Sequence, residues 1–128
     1  MLTLHYSKVS GNTKRFAQRL HAPTVAISDV LEGGVREAFV LICPTYNGRV
    51  PVKVVSFLNN PANRLRMIGV VGSGSRNFGS DYAAAGQRIA ACCQVPLLHS
   101  FELSGLDEDV VAVNDRLQEL PWNINSTI

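Results

Sequence analysis

The chain has 128 residues and a mass of 13.9 kDa, with 46% hydrophobic and 17% charged residues, a mean hydropathy of +0.10 and a net charge of +2. That length holds one domain, and scaling area with mass gives roughly 6,700 Å² of folded surface against roughly 20,000 Å² unfolded, so a core needs no disulfides or metals. The composition excludes a disordered tail or collagenous repeat, no apolar run approaches a bilayer span, and no basic n-region precedes the first apolar run, so the expected location is the cytoplasm.

The first apolar run, residues 2–6, predicts a strand. A helix is expected to begin near Thr13, because Phe16, Ala17 and Leu20 share one face. A second strand over 25–27 is followed by a link of about ten residues, 28–37, that contains Gly33-Gly34. Parallel crossovers usually take a dozen residues or more, so an irregular connection or a single turn is expected there. Residues 38–43 form a third, continuously apolar run, and Val54, Val55 and Leu58 mark the next helix face. A fourth strand over 68–72 leads to a helix on which Tyr82, Ala85, Ile89 and Cys92 align. A fifth over 96–103 leads to a helix marked by Val110, Val113, Leu117 and Leu120. Continuous rather than alternating apolar runs are the mark of strands buried on both faces. Strand–helix alternation then means a parallel sheet covered on both sides. The domain is expected to occupy residues 1–120, with 121–128, including Trp122, as an aperiodic tail.

In an open parallel sheet, ligands bind beyond the carboxyl ends of the strands. Three loops should meet there. The first, Ser7-Lys8-Val9-Ser10-Gly11-Asn12-Thr13, offers three hydroxyls, an amide and a tightly curving glycine. It has no Gly-Lys-Ser/Thr ending, and it suits a phosphate monoester held by neutral donors; an ordinary capped helix start is the plainer alternative. The second, Pro44-Thr45-Tyr46-Asn47-Gly48-Arg49, sets a flat aromatic face on a turn that tolerates positive φ. The third, Ser73-Gly74-Ser75-Arg76-Asn77-Phe78-Gly79-Ser80, exposes backbone and adds a second apolar wall. None contains an acid and each contains a Lys or Arg. Together they describe a phosphate grip below a planar heteroaromatic ligand, as flavin mononucleotide (FMN) would require.

These residues carry a resemblance. Ser7-x-x-Ser10-Gly11-x-Thr13 resembles the flavodoxin phosphate loop. The stretch from Gly72 through Arg76-Asn77-Phe78-Gly79 resembles the NrdI family, and Phe101-Glu102-Leu103-Ser104-Gly105 fits it too. The similarity spans about residues 2 to 120. It implies a flavodoxin-like, five-stranded parallel sheet of order 2-1-3-4-5 with helices on both faces. It implies FMN, with Ser7, Lys8, Ser10, Gly11, Asn12 and Thr13 at the phosphate. Thr45, Tyr46, Asn47 and Gly48 would border one side of the ring, and Ser73, Gly74, Asn77, Phe78 and Gly79 the other. The implied function is that of an accessory flavoprotein. Its reduced flavin reacts with O₂ to supply an oxidant, superoxide, for assembly of the dimanganese–tyrosyl radical cofactor in the small subunit of class Ib ribonucleotide reductase. A reductase or glutaredoxin-like protein would supply electrons. Catalytic side chains are not expected, although Gly48 could let its peptide flip toward the flavin N5. Lys8, Arg49 and Arg76 should favour the anionic reduced ring by Coulomb attraction.

Other readings compete. A general electron-transfer flavodoxin shares the fold and cofactor, and a bare phosphate-binding module shares the first loop. Cys43-x₅-Arg49 has the spacing of a tyrosine-phosphatase clamp, although Pro44 removes a backbone donor from it. Three cysteines, two of them adjacent (Cys92, Cys93), write no disulfide framework, and three scattered histidines suggest no zinc. His5 is expected as a satisfied core residue. Charge is uneven: residues 1–80 hold ten Lys/Arg and three acids (+7), and residues 81–128 two and seven (−5). With no basic run interleaved with aromatics, neither nucleic acid nor a membrane is an expected partner, though an acidic protein face could dock on the basic excess.

Overall fold

The computed structural model describes residues 1–8, 10–75 and 83–120. Five strands, β1 (Leu2–His5), β2 (Thr24–Ala26), β3 (Phe39–Pro44), β4 (Met67–Gly74) and β5 (Leu97–Glu102), form one sheet of order β2-β1-β3-β4-β5. Every pairing is parallel. Burial follows position in the sheet. All six residues of central β3 are buried, whereas the edge strands β2 and β5 are mostly half-buried. Side chains of β3 alternate between two cores. Phe39, Leu41 and Cys43 join Leu4 and Val70 on one face; Val40 and Ile42 join Val71 and Phe101 on the other.

The first core is covered by α2 (Val52–Asn59) through Val54, Phe57 and Leu58, and by α4 (Ala84–Cys93) through Ala85 and Ile89. The second is covered by α1 (Asn12–Gln18) through Phe16 and Ala17, and by α5 (Asp107–Glu119) through Val113 and Leu117. Phe16 stacks on Phe101, with centroids 3.9 Å apart. Asp107, Glu108 and Asp109 fill the first turn of α5, where carboxylates suit the helix dipole. Asp109 accepts the Leu106 N–H at 2.8 Å and contacts His99 Nε2 at 2.7 Å, so one carboxylate ties α5 to β5.

The short β2–β3 link takes a single 3₁₀ turn, Ile27–Asp29, and then an irregular path. Its anchor lies 28 residues downstream. Asn63, on a four-residue helix α3 (Pro61–Arg64), accepts the Val35 N–H through Oδ1 and donates to the Phe57 carbonyl through Nδ2. Gly34 has φ +70 and lies so near this amide that a Cβ would sit 2.9 Å from Oδ1.

Glycines set the distance between α4 and the sheet. A Cβ on Gly86 would lie 2.8 Å from Gly72 Cα, and a Cβ on Gly74 would lie 2.6 Å from Ala83 N. Strand and helix therefore meet backbone to backbone. Gly86→Ala is expected to cost about 1–3 kcal/mol by overpacking, despite the better helix propensity of alanine. Gly33→Ala, with nothing within 4 Å, should change stability by less than about 0.5 kcal/mol. Urea unfolding of the two variants checks the contrast.

Candidate functional site

Parallel strands bring their carboxyl ends to one edge. The register sets Pro44 beside Ser73 and Gly74 beside Glu102, so the segments after β3, β4 and β5 leave the sheet abreast. With the loop after β1 they enclose a cleft of about 160 Å³. The first loop contributes Ser7, Ser10, Asn12 and Thr13; the second Pro44, Thr45 and Tyr46; the third Ser73, Gly74 and Ser75. Leu103, just past β5, completes the described wall. That wall carries no formal charge. Eight of its eleven residues bring a hydroxyl or an amide.

Hydrogen bonds among the described residues use Ser10, Thr45 and Asn12 as acceptors. Ser10 Oγ accepts the Asn12 N–H at 3.3 Å, and Thr45 Oγ1 accepts the Ala85 N–H at 3.0 Å, so among the described residues each hydroxyl hydrogen remains to give. Arg15 Nη2 donates to Asn12 Oδ1 at 2.6 Å, which leaves the Asn12 NH₂ as the donating end. Thr13 differs: it is buried, and its hydroxyl donates to the Tyr6 carbonyl. Thr13 therefore ties α1 to β1 rather than offering its proton to an anion. Thr45 caps α4 from a distant loop, because Ala83 at that helix start has no side chain to do so.

Tyr46-Asn47-Gly48-Arg49 closes a two-residue hairpin turn, with Tyr46 and Arg49 exchanging hydrogen bonds at 3.1 and 3.0 Å. Asn47 (φ 53) and Gly48 (φ 71) both lie in the left-handed region, as a type I′ turn demands of an Asn-Gly pair. Tyr46 Oη accepts the Lys8 N–H at 3.1 Å, and its ring meets Tyr6 edge to face at 6.4 Å. The second loop is thus fastened to the first.

The structure brings Ser7, Ser10, Asn12, Thr13, Thr45, Tyr46, Ser73 and Gly74 together. Gly11 shapes the loop at φ 72 without lining the cleft, and Asn47 and Gly48 stand outside it on the turn. Lys8 lies in a neighbouring cleft, with its N–H already used by Tyr46. Asn77, Phe78 and Gly79 lie outside the described residues, as do Arg76, Tyr82 and the tail 121–128. Leu103 lies outside the three loops that the sequence singles out; its signal is an apolar residue immediately after a strand at the ligand edge. Cys43 offers no nucleophile: it is fully buried, burial pushes its thiol up, and Sγ donates to the Pro44 carbonyl. That geometry removes the phosphatase clamp. Among the described residues no His, Cys, Asp or Glu cluster could hold a metal, and no helix is long and apolar enough to cross a membrane.

Comparison with known proteins agrees with this architecture. The profile of the family described as NrdI flavodoxin-like matches residues 4–115. A protein named Protein NrdI from Bartonella bacilliformis is 43% identical over 124 residues, covering 92% of this chain and 95% of that protein. Among solved structures, a flavodoxin, WrbA-like protein from Agrobacterium tumefaciens superposes with a TM-score of 0.64 at 15% identity, covering 91% and 92% of the two chains. A Fusobacterium nucleatum flavodoxin variant bound to flavin mononucleotide gives 0.52 at 16% identity, covering 91% and 92%. The chain belongs to the NrdI flavodoxin-like family.

Two tests follow from the site itself. Thr45→Val strands the Ala85 N–H and should cost about 1–2 kcal/mol in urea unfolding. His5 is held below its ordinary value of 6.5, chiefly by burial and then by Lys14, with Asp29 opposing. The unfolded chain therefore binds that proton first. Stability should be full above pH 6.5 and fall as the pH drops toward the lowered folded value. His5→Asn should flatten this slope in denaturation measured across the interval.

Proposed function

We propose, from this family membership and the uncharged donor cleft, that the protein binds FMN and serves as the redox activator of a class Ib ribonucleotide reductase. In this reading the reduced protein passes an oxidant, superoxide, to the radical-bearing small subunit, where the dimanganese–tyrosyl radical cofactor is assembled. Electrons come from a reductase or a glutaredoxin-like donor, and the setting is cytoplasmic. When bound, the flavin supplies electron transfer to O₂; the protein supplies binding, access and electrostatics.

The observation that carries the reading is the cleft wall: neutral donors with no acid among the described residues. Ser7 and Ser10 offer hydroxyls and Asn12 its NH₂ to the phosphate, with Gly11 bending the loop and Thr13 fixing it to β1. Lys8 contributes charge from the adjacent cleft. Thr45, Tyr46, Ser73 and Gly74 border the ring. Asn47 and Gly48 form the turn at its edge, where the freedom of Gly48 permits a peptide rotation toward N5. Asn77, Phe78 and Gly79 are assigned to the opposite side on the resemblance alone. Gly74 lines the cleft, and a Cβ there would meet Ala83 N, so the position must stay glycine for α4 to start beside it. The nearest formal charges in the first two loops are cations, Lys8 and Arg49, which favour added negative charge on the ring.

The purified protein should be yellow or take up FMN stoichiometrically. Its spectrum should bleach with dithionite and recover rapidly in air. Ser10→Ala and Asn12→Ala should each weaken FMN about tenfold or more, as loss of a donor to a charged group does. A protein that is colourless and takes up no FMN contradicts the reading. Reduction in a single two-electron step in a potentiometric titration supports the cationic surroundings; two well-separated one-electron steps would contradict their proposed effect.

A further inference from the structure

A second cleft lies beside the first, across Ser7, with a volume of about 320 Å³. Lys8 enters it from the loop after β1, Lys14 from α1 and Lys53 from the first turn of α2. Ser28 on the 3₁₀ turn adds a hydroxyl, and no acid stands on the wall. His5 forms part of the same wall. It is only 5% exposed, and Nδ1 pairs with Thr24 Oγ1 at 2.8 Å, while Nε2 has no hydrogen-bond partner among the described residues. The neighbouring groove, about 700 Å³, shares Tyr6, Lys8 and Lys53 with this cleft. Its other walls include Tyr46, Arg49 and Val52, the last 83% exposed.

Three lysines from three separate segments line this cleft, and among the described residues none of them makes an ion pair. Asp29 acts on His5 from beside the cleft and offsets part of this charge, but three lysines leave a net positive charge there that attracts an anion. Lysine heads are compact, strongly hydrated donors suited to phosphate as point charges. The cleft is too large for one phosphate and continues into an aromatic and apolar groove, so it matches a ligand with a charged end and a planar end. The two volumes fall within the range of small-molecule sites, about 300–1,000 Å³.

We propose that the composite cleft is a nucleotide site distinct from the neutral one, with a diphosphate chain among Lys8, Lys14 and Lys53 and the base against Tyr6 and Val52. The ligand class is a nucleoside diphosphate. The two clefts divide by chemistry: uncharged donors on one side of Ser7, a cationic socket on the other.

Calorimetric titration of the FMN-saturated protein with ADP, pyrophosphate, inorganic phosphate and adenosine tests this. ADP should bind saturably without releasing flavin, pyrophosphate less tightly, and phosphate and adenosine at least about tenfold more weakly than ADP. Lys14→Gln and Lys53→Gln, both exposed positions away from the first cleft, should each lower ADP affinity about fivefold or more and leave FMN uptake unchanged. By NMR, bound ADP should raise the His5 pKa, because its charge offsets Lys14 and adds to the influence of Asp29. No saturable ADP binding, release of flavin by ADP, affinities unchanged in both variants, or equal affinity for ADP and phosphate would each overturn the proposal. Should the protein take up no FMN, the proposed function fails by that observation alone, and the same titrations on the bare protein still decide the nucleotide site.

Discussion

The approach of α4 to β4 is the constraint from which the rest of the ligand edge takes its shape. Gly72 and Gly86 touch through their backbones, and Gly74 lies against Ala83 where no side chain has room. This contact brings the start of α4 within reach of Thr45, whose hydroxyl caps the helix from the loop after β3. Thr45 in turn positions Tyr46, and Tyr46 holds the backbone of Lys8. A chain of short contacts therefore runs from the centre of the sheet to the loop after β1. Adding one methyl group at Gly86 would strain its first link.

A second organising feature is the separation of charge. The described wall of the first cleft is wholly uncharged; hydrogen bonds at Ser10, Asn12 and Thr45 consume acceptors, whereas Thr13 spends its hydroxyl hydrogen on the Tyr6 carbonyl. Cations stand just outside, on Lys8, Lys14, Lys53 and Arg49. Acids gather on another flank, where Glu102, Glu108 and Asp109 line a hollow beyond β5. On the function proposed, this polarity lets the cofactor phosphate be held by short hydrogen bonds while Lys8 and Arg49 act through their field. Field effects of that kind shift potentials without requiring contact.

Much of this was legible in the sequence. Apolar runs placed all five strands within two residues of their bounds, because strands buried on both faces announce themselves by composition alone. The 28–37 link was expected to be irregular or a single turn, and it is. Its anchor, Asn63, was invisible, since a hydrogen bond spanning 28 residues leaves no local pattern. Helix α3 was missed because four residues complete too little of a period to be read. Described residues of the three loops meet at one edge, with only 73–75 representing the third, whose residues 76–80 lie outside the described ones. The side of Ser7 on which Lys8 falls, and the loss of the Thr13 proton to the Tyr6 carbonyl, depend on tertiary hydrogen bonds that spacing does not encode. Cys43 shows the converse: Cys-x₅-Arg is a spacing that Pro44 already argues against, and the central strand denies the exposure that the chemistry would need.

The central claim is that the ligand edge seats a flavin among neutral donors, and amide-resolved NMR during FMN addition addresses it directly. The account predicts the largest shifts at Ser7, Ser10, Asn12, Thr45, Tyr46, Ser73 and Gly74, with α5 beyond Val113 undisturbed. Shifts centred on the opposite end of the sheet, or absent at saturating FMN, would contradict it.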